Sequence, residues 1–148
     1  MSKYNNKKIK FDGRTFDSEM EADFYVTLKD KIKKGIVEKF ICQPKFKICD
    51  EYIRNGKKIK PSYCILDYLV FNTDGSVEYI DIKGYGTEIS KLKRKLLESK
   101  YPNIRVKWLT RYFGEEADEY GWIEKEKLDE IIRKNRRQSN KILNSRNK

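Results

Sequence analysis

A chain of 148 residues has room for a hydrophobic core, and we expect a single domain over residues 1–148. It contains no run of about 18 apolar residues and no charged-then-apolar leader, so neither membrane insertion nor secretion is indicated and a cytoplasmic protein is expected. The absence of histidine excludes catalysis by imidazole, and the formal net charge of +11 favours a polyanionic partner.

The first predicted element is a helix that begins near Ser18 and ends near Gly35. On a helical wheel Glu21 falls on the same face as four apolar residues, Phe24, Tyr25, Leu28 and Ile32. Two interpretations of Glu21 stay open at this point. A carboxylate three residues after Ser18 is typical of a capping box, whereas a carboxylate on the apolar face indicates a metal-binding or water-positioning role.

Three β-type segments are predicted next, at residues 36–48, 63–71 and 77–83. The first segment is expected to break at Gln43-Pro44, and residues 72–75 are expected to form a hairpin loop between the other two. Residues 50–61 are charged and are predicted to form an exposed loop. The three cysteines lack the close spacing of zinc or redox pairs, so buried, reduced thiols are expected at Cys42, Cys49 and Cys64.

A second amphipathic helix is predicted over residues 88–100, with an apolar stripe of Ile89, Leu92, Leu96 and Leu97. Residues 104–109 alternate as a strand, and a final helix is expected to begin near Ile123. The order helix, three strands, helix, strand, with an appended helix, predicts an α/β fold with early hairpin pairing and a late helical crossover. The core is expected at about residues 11–110, and the final helix and basic tail at about 122–148.

The excess positive charge lies in the two ends of the chain. Four lysines in residues 1–10 and seven basic residues in 133–148 stand without any acidic residue, and the segment between them is formally neutral. Such ends fit arms that neutralise phosphates, although a solvated terminus has the same composition. The residues expected to contact nucleic acid are Lys7, Lys8, Lys10, Arg133, Lys134, Arg136 and Arg137.

The third β-type segment carries the strongest chemical pattern. Asp81 and Lys83 are two residues apart, so their side chains lie on the same face of one strand. Asp67 interrupts an apolar run that is otherwise suited to a central strand, and a short hairpin loop sets it near Asp81. The structural alternatives are a surface ion pair for Asp81 and Lys83, and a buried hydrogen-bond acceptor for Asp67.

Two neighbouring carboxylates repel each other unless a cation lies between them. Mg²⁺ accepts an oxygen shell of one or two carboxylates, water and substrate phosphate, which fits Asp67, Asp81 and the backbone carbonyl of Ile82, with Mn²⁺ as a substitute. Glu21 is a further candidate ligand or water-positioning group. Lys83 is expected to stabilise the charge that develops on the phosphate.

These residues resemble the PD-(D/E)xK nuclease superfamily of restriction enzymes, phage exonucleases and Holliday junction resolvases. Asp67 matches the first acidic position, Asp81 the second, Lys83 the lysine and Glu21 the glutamate of the first helix, while Leu66 stands where many members have proline. The resemblance implies a restriction-endonuclease-like core of helix, three-strand meander, helix and strand. It also implies catalytic roles for these four residues.

A narrower resemblance covers about residues 10–110. Phe16-Asp17-Ser18, Gln43-Pro44, Tyr63 and Asp81-Ile82-Lys83-Gly84 are similar to a family of small phage proteins regarded as resolvase-like endonucleases. The N-terminal half also looks like the catalytic domain of transposon end-cleaving endonucleases.

Three further residues are candidates for supporting roles. Gln43 either hydrogen-bonds a ligand or holds a turn, Tyr63 either lines the site or packs in the core, and Lys93 either reaches a phosphate or extends to solvent.

The leading prediction is a single-domain, Mg²⁺-dependent endonuclease that cleaves DNA without a small-molecule cofactor. The resemblance implies branched or Holliday junction DNA, in phage recombination or packaging, and the host cytoplasm if a phage encodes the chain. Homodimers are expected because two cuts on opposing strands favour two-fold symmetry. The rival predictions are a non-catalytic DNA-binding module of the same fold, a transposon-type endonuclease, and an interaction protein.

Overall fold

The computed structural model describes residues 7–147, and within them the helices are α1 (Glu19–Lys33), α2 (Glu88–Lys100) and α3 (Lys125–Arg146). The strands of the same part of the chain are β1 (Ile9–Phe11), β2 (Arg14–Phe16), β3 (Val37–Cys42), β4 (Lys45–Cys49), β5 (Tyr52–Arg54), β6 (Lys57–Ile59), β7 (Ser62–Ile65), β8 (Tyr68–Asn72), β9 (Val77–Ile82), β10 (Val106–Arg111) and β11 (Trp122–Glu124). None of the described helices is long and apolar enough to cross a membrane.

Five strands form a mixed sheet in the order β11-β10-β9-β8-β3. The β3, β8 and β9 strands pair antiparallel as a meander, whereas β9 and β10 pair parallel because α2 carries the chain across between them. The α/β class, the early hairpin pairing and the late helical crossover are therefore confirmed. The β4 and β7 strands form a separate antiparallel pair beside this sheet.

Helix α1 covers one face of the sheet. Ser18 caps its first turn by accepting a hydrogen bond from the Glu21 N–H, and Phe24, Tyr25 and Leu28 are buried as their spacing predicts. Trp122 of β11 packs edge-on against Phe24 and is 2% exposed. The apolar face ends one turn early, since Ile32 is 37% exposed.

Helix α2 lies on the opposite face, above the β4–β7 pair. Its capping residue is Thr87, and Leu97 is completely buried among Leu66, Ile104 and Trp108. The predicted apolar stripe is wrong for its other members, because Leu97 is the only residue of this helix that is buried. The exposed members are Ile89 (68%), Leu92 (55%) and Leu96 (40%).

Two of the predicted β-type segments each divide into two strands. Residues 36–48 break at Gln43, which has a positive φ of 53°, as expected. Residues 63–71 break at Leu66-Asp67, which was not expected. The reason is that β7 leaves the sheet to pair with β4, whereas β8 pairs with β3 and β9.

The predicted loop at residues 50–61 is instead the hairpin of β5 and β6. Asn55 and Gly56 both have positive φ, 49° and 74°, as a two-residue type I′ turn requires. The β1–β2 hairpin was not predicted either, and it turns in the same way at Asp12-Gly13.

The C-terminal helix begins at Lys125 rather than near Ile123, because Trp122 and Ile123 are buried in the edge strand β11. The helix then continues to Arg146, through residues that were expected to form a basic tail. From Ile132 onward every described residue of α3 is exposed or only partly covered. Of the three free thiols only that of Cys64 is buried, so the expectation of burial is wrong for the exposed Cys49.

Candidate active site

Asp67 and Asp81 lie side by side where β8 and β9 meet. The register pairs Tyr68 with Ile80, so the residues before and after this pair, Asp67 and Asp81, are also opposite each other. One oxygen of Asp67 accepts a hydrogen bond of 2.7 Å from the N–H of Ile82. The sequence context of Asp67 had indicated a position inside a continuous apolar strand. Asp67 lies instead at the bend just before β8.

Lys83 stands directly beside Asp81, as the period of two predicts. Its amino group is 3.0 Å from a carboxylate oxygen of Asp81, and both side chains are largely shielded from solvent. Asp81 itself is 8% exposed. This burial separates the arrangement from an ordinary surface ion pair, which would be well solvated.

The Asp67 carboxyl has an unusual affinity for protons. Burial, and then the negative charges of Asp81 and Glu21, raise its pKa to about 9. Two buried carboxylates in contact do not both ionise readily unless a positive charge compensates them. The pair therefore needs a proton or a positive charge beside it, and the Lys83 ammonium supplies one such charge at Asp81.

Glu21 has features of both roles that its sequence context suggested. Its N–H donates to the Ser18 hydroxyl at the helix start, and that hydroxyl lies 3.3 Å from a Glu21 carboxylate oxygen. Burial, followed by the charge of Asp17, raises the pKa of Glu21, and the charge of Asp81 adds to the effect. The Tyr68 hydroxyl donates to the Glu21 carbonyl at 2.8 Å and fixes the helix start against β8.

One cavity, of about 230 Å³, joins Glu21 to Asp67. Gln43 also lines it, so this candidate residue lies next to the carboxylates. Sequence reasoning missed Arg14 and Thr15, which the β1–β2 hairpin brings to the same cavity. The signal that would have revealed them is Asp12-Gly13, a dipeptide typical of tight hairpin turns.

A second cavity, of about 290 Å³, lies on the other side of Asp81. Its lining brings together Asp81 and Lys83 with two other candidates, Tyr63 and Lys93. Arg94 also lines it and was not predicted. The Arg94 guanidinium lies 3.7 Å from the ring centroid of Trp108 and forms an ion pair with Glu126 of α3.

The predicted nucleic-acid contacts lie in other parts of the structure. Lys7, Lys8 and Lys10 are exposed at the start of the described chain, with Lys10 in β1, and the lysine at position 3 lies outside the described residues. The other four are in the exposed part of α3, beyond the turns that pack on β10 and β11. These four are Arg133, Lys134, Arg136 and Arg137.

The donor set can be compared with the needs of a divalent cation. In residues 7–147 no group of three or more histidine, cysteine, aspartate and glutamate side chains is arranged as a metal-binding cluster. Mg²⁺ is usually held by one or two carboxylates together with substrate phosphates and water. The neighbouring carboxylates of Asp67 and Asp81 fit that requirement, and Glu21 shares a cavity with Asp67.

A family model described as "Protein of unknown function (DUF1064)" matches residues 1–117. The match includes the four candidate catalytic residues and stops before β11 and α3. No curated protein and no solved structure was found to match the chain. Because the match spans most of its length, the chain belongs to the DUF1064 family of proteins of unknown function.

Proposed function

We propose that this protein is a metal-dependent endonuclease that hydrolyses DNA phosphodiester bonds. The observation that carries the proposal is the adjacent pair of Asp67, which is partly buried, and Asp81, which is buried, with the Lys83 amino group 3.0 Å from Asp81. Holding two carboxylates together costs folding free energy, which a purely structural role does not repay. Perturbed titratable groups beside a cavity are typical of catalytic sites.

Asp67 and Asp81 would hold Mg²⁺, with Mn²⁺ as a substitute, together with the Ile82 carbonyl. When bound, the ion supplies Lewis-acid polarisation of the scissile phosphate. The Lys83 ammonium donates hydrogen bonds to phosphate oxygens as their negative charge grows in the transition state. Glu21 orients the attacking water from the cavity that it shares with Asp67, and its raised pKa suits it to accept a proton.

The finer fold assignment is part of the same proposal. The order α1, then β3, β8 and β9 as a meander, then α2 and β10, agrees with the restriction-endonuclease-like core expected from the PD-(D/E)xK resemblance. Branched DNA as the substrate, a phage setting in recombination or packaging, and a homodimer rest on that resemblance. The exposed cations of β1 and α3 would contact the DNA backbone.

The test is cleavage of labelled linear duplex, single strand and four-way junction in Mg²⁺, Mn²⁺ or EDTA. We expect metal-dependent cutting, with a rate that falls by roughly 100-fold or more in Asp81→Asn. This variant lacks one of the two carboxylate charges that would hold the metal ion at the scissile phosphate. The matched control is Asp74→Asn, which changes an exposed carboxylate in the loop between the same two strands. It should cut like the wild type.

The opposite result has a clear meaning. If no metal supports cutting while the wild type and Asp81→Asn bind DNA equally well, the protein is a non-catalytic DNA-binding module.

A further inference from the structure

The cavity beyond Asp81 shares Asp81 and Lys83 with the proposed active centre, and the rest of its lining has no part in the proposed chemistry. It lies under the first turns of α2, and its volume of about 290 Å³ is at the lower end of the roughly 300–1,000 Å³ typical of ligand pockets. A double helix cannot enter a pocket of this size. A single nucleotide drawn out of a strand is the largest piece of nucleic acid that it suits.

Part of the lining of this cavity is suited to a phosphate. Its lining includes the cations Lys83, Lys93 and Arg94, against the carboxylate of Asp81. Lys83 is paired with Asp81 and Arg94 with Glu126, whereas Lys93 forms no ion pair within residues 7–147. Lys93 is thus the cation that can meet an incoming anion without first giving up a partner.

Two hydroxyl groups lie among these cations. The Thr87 hydroxyl accepts a hydrogen bond from the Ser90 N–H, so its own proton can be donated to an anion. Both residues belong to the start of α2, where the helix dipole also favours negative charge. The cations, the hydroxyl donor and the helix start therefore all contribute to the lining of the same cavity.

The lining also includes apolar side chains that are open to solvent. Tyr63 is 37% exposed and Ile89 is 68% exposed, and both contribute to the lining. The Lys45 amino group lies 4.1 Å from the centroid of the Tyr63 ring and holds that ring at the rim. An exposed aromatic ring next to a cationic pocket is the combination on which unpaired bases stack.

We propose that this cavity binds one unpaired nucleotide, with its phosphate at Lys93 and Thr87 and its base against Tyr63 and Ile89. The position of this nucleotide next to the cleaved bond rests on the proposed nuclease function, whereas its binding does not. The substrate then has a single-stranded segment at the site of cutting, as in a flap, a junction or a free single strand. A continuous duplex fits only after one nucleotide has been unstacked.

The experiment measures equilibrium binding in EDTA, where no cutting occurs. The probes are a short fluorescein-labelled oligothymidylate and an abasic strand of the same length and charge, followed by fluorescence anisotropy. The wild type should bind the strand with bases roughly five-fold or more tightly than the abasic strand, the lower end of the effect of one base stacked on an aromatic ring. Tyr63→Ala should remove most of this preference.

Two lysines on α2 provide the matched comparison. Lys93→Ala should weaken the binding of both strands alike, because it removes a phosphate contact, and should do so more than Lys95→Ala, which changes a lysine outside the cavity lining. If Tyr63→Ala fails to fold, as judged by circular dichroism, Ile89→Ser tests the same rim from an exposed position. That variant should also reduce the preference for bases.

The proposal is overturned if the wild type binds both strands equally, or if the rim variants reduce affinity for both strands to the same extent. It is also overturned if Lys93→Ala binds no more weakly than Lys95→Ala. A protein that never cuts DNA but shows the base preference would refute the nuclease and retain the nucleotide pocket.

Discussion

Replacing Asp67 by asparagine should make the metal-free protein more stable while abolishing the proposed DNA cleavage. Asparagine keeps an oxygen that can accept the hydrogen bond from Ile82, but it removes one of two adjacent carboxylates. Side chains opposite each other on antiparallel strands are about 5 Å apart, where two like charges would repel by roughly 3 kcal/mol at an effective dielectric constant of about 20. Because the pKa of Asp67 is raised to about 9, the folded wild type holds a proton on this carboxyl at neutral pH, and the cost appears as proton uptake on folding instead of direct repulsion. The Lys83 ammonium lowers this cost, so we expect Asp67→Asn to gain about 1–3 kcal/mol.

The stability difference between Asp67→Asn and the wild type should grow with pH. The pKa of Asp67 is raised to about 9 in the folded protein, so its contribution to stability is present at low pH and is lost as the pH rises from about 4 toward 9. Asp67→Asn does not show this decline. Its advantage over the wild type should therefore be large at about pH 8 and small near pH 4.

Thermal unfolding in EDTA at these two pH values is the assay. A gain of about 1 kcal/mol corresponds to roughly 2 to 4 °C in Tm for a protein of about this size. Adding Mg²⁺ at about pH 8 should raise the Tm of the wild type and leave that of Asp67→Asn unchanged. Glu38→Gln, which changes an exposed carboxylate of β3, is the control and should show no pH-dependent gain. A lower Tm for Asp67→Asn than for the wild type at the higher pH would refute the reasoning.

Three further predictions concern other parts of the molecule. Lys83→Met should lower the single-turnover cleavage rate by roughly 100-fold with little change in the Kd for DNA, and a rate within about twofold of the wild type would remove the lysine from the chemistry. Tyr68→Phe removes the 2.8 Å bond to the Glu21 carbonyl and should lower the free energy of unfolding by about 1 kcal/mol in urea titrations; an unchanged midpoint would contradict this. The slope of log Kd for duplex DNA against log salt should fall by roughly 0.9 for each phosphate that is no longer neutralised when alanine replaces Arg133, Lys134, Arg136 and Arg137. An unchanged slope would show that α3 does not touch the backbone.

Local patterns predicted the elements that position the carboxylates. The period of two placed Lys83 beside Asp81, and the hairpin loop after β8 brought Asp67 opposite Asp81. The helical wheel of α1 predicted that Glu21 lies on the apolar face, and in the structure Glu21 shares a cavity with Asp67. These relations involve residues that are near each other in the chain or on one regular element, where geometry follows from spacing alone.

The features that sequence reasoning missed depend on pairing between distant segments. The break at Asp67 arises because β7 pairs with β4, and although Asp67 interrupts the apolar run from Cys64 to Phe71, the sequence does not show that the two halves pair with different strands. Arg94 enters the site because Trp108 and Glu126 hold it, and both belong to elements that follow α2. The exposed stripe of α2 was likewise misjudged because amphipathicity does not say how much of a face is covered.

The position of Trp122 shows that the limit of the family match is not a folding boundary. Its indole N–H donates to the Thr27 hydroxyl at 3.0 Å, and its ring completes the aromatic contacts of Phe24 beneath α1. A chain cut after residue 117 would lack this ring and leave a void of tryptophan size, and the Thr27 hydroxyl would keep only its own hydrogen bond to the Asp23 carbonyl. The segment that the family model matches therefore lacks one of the side chains that close the core of this chain.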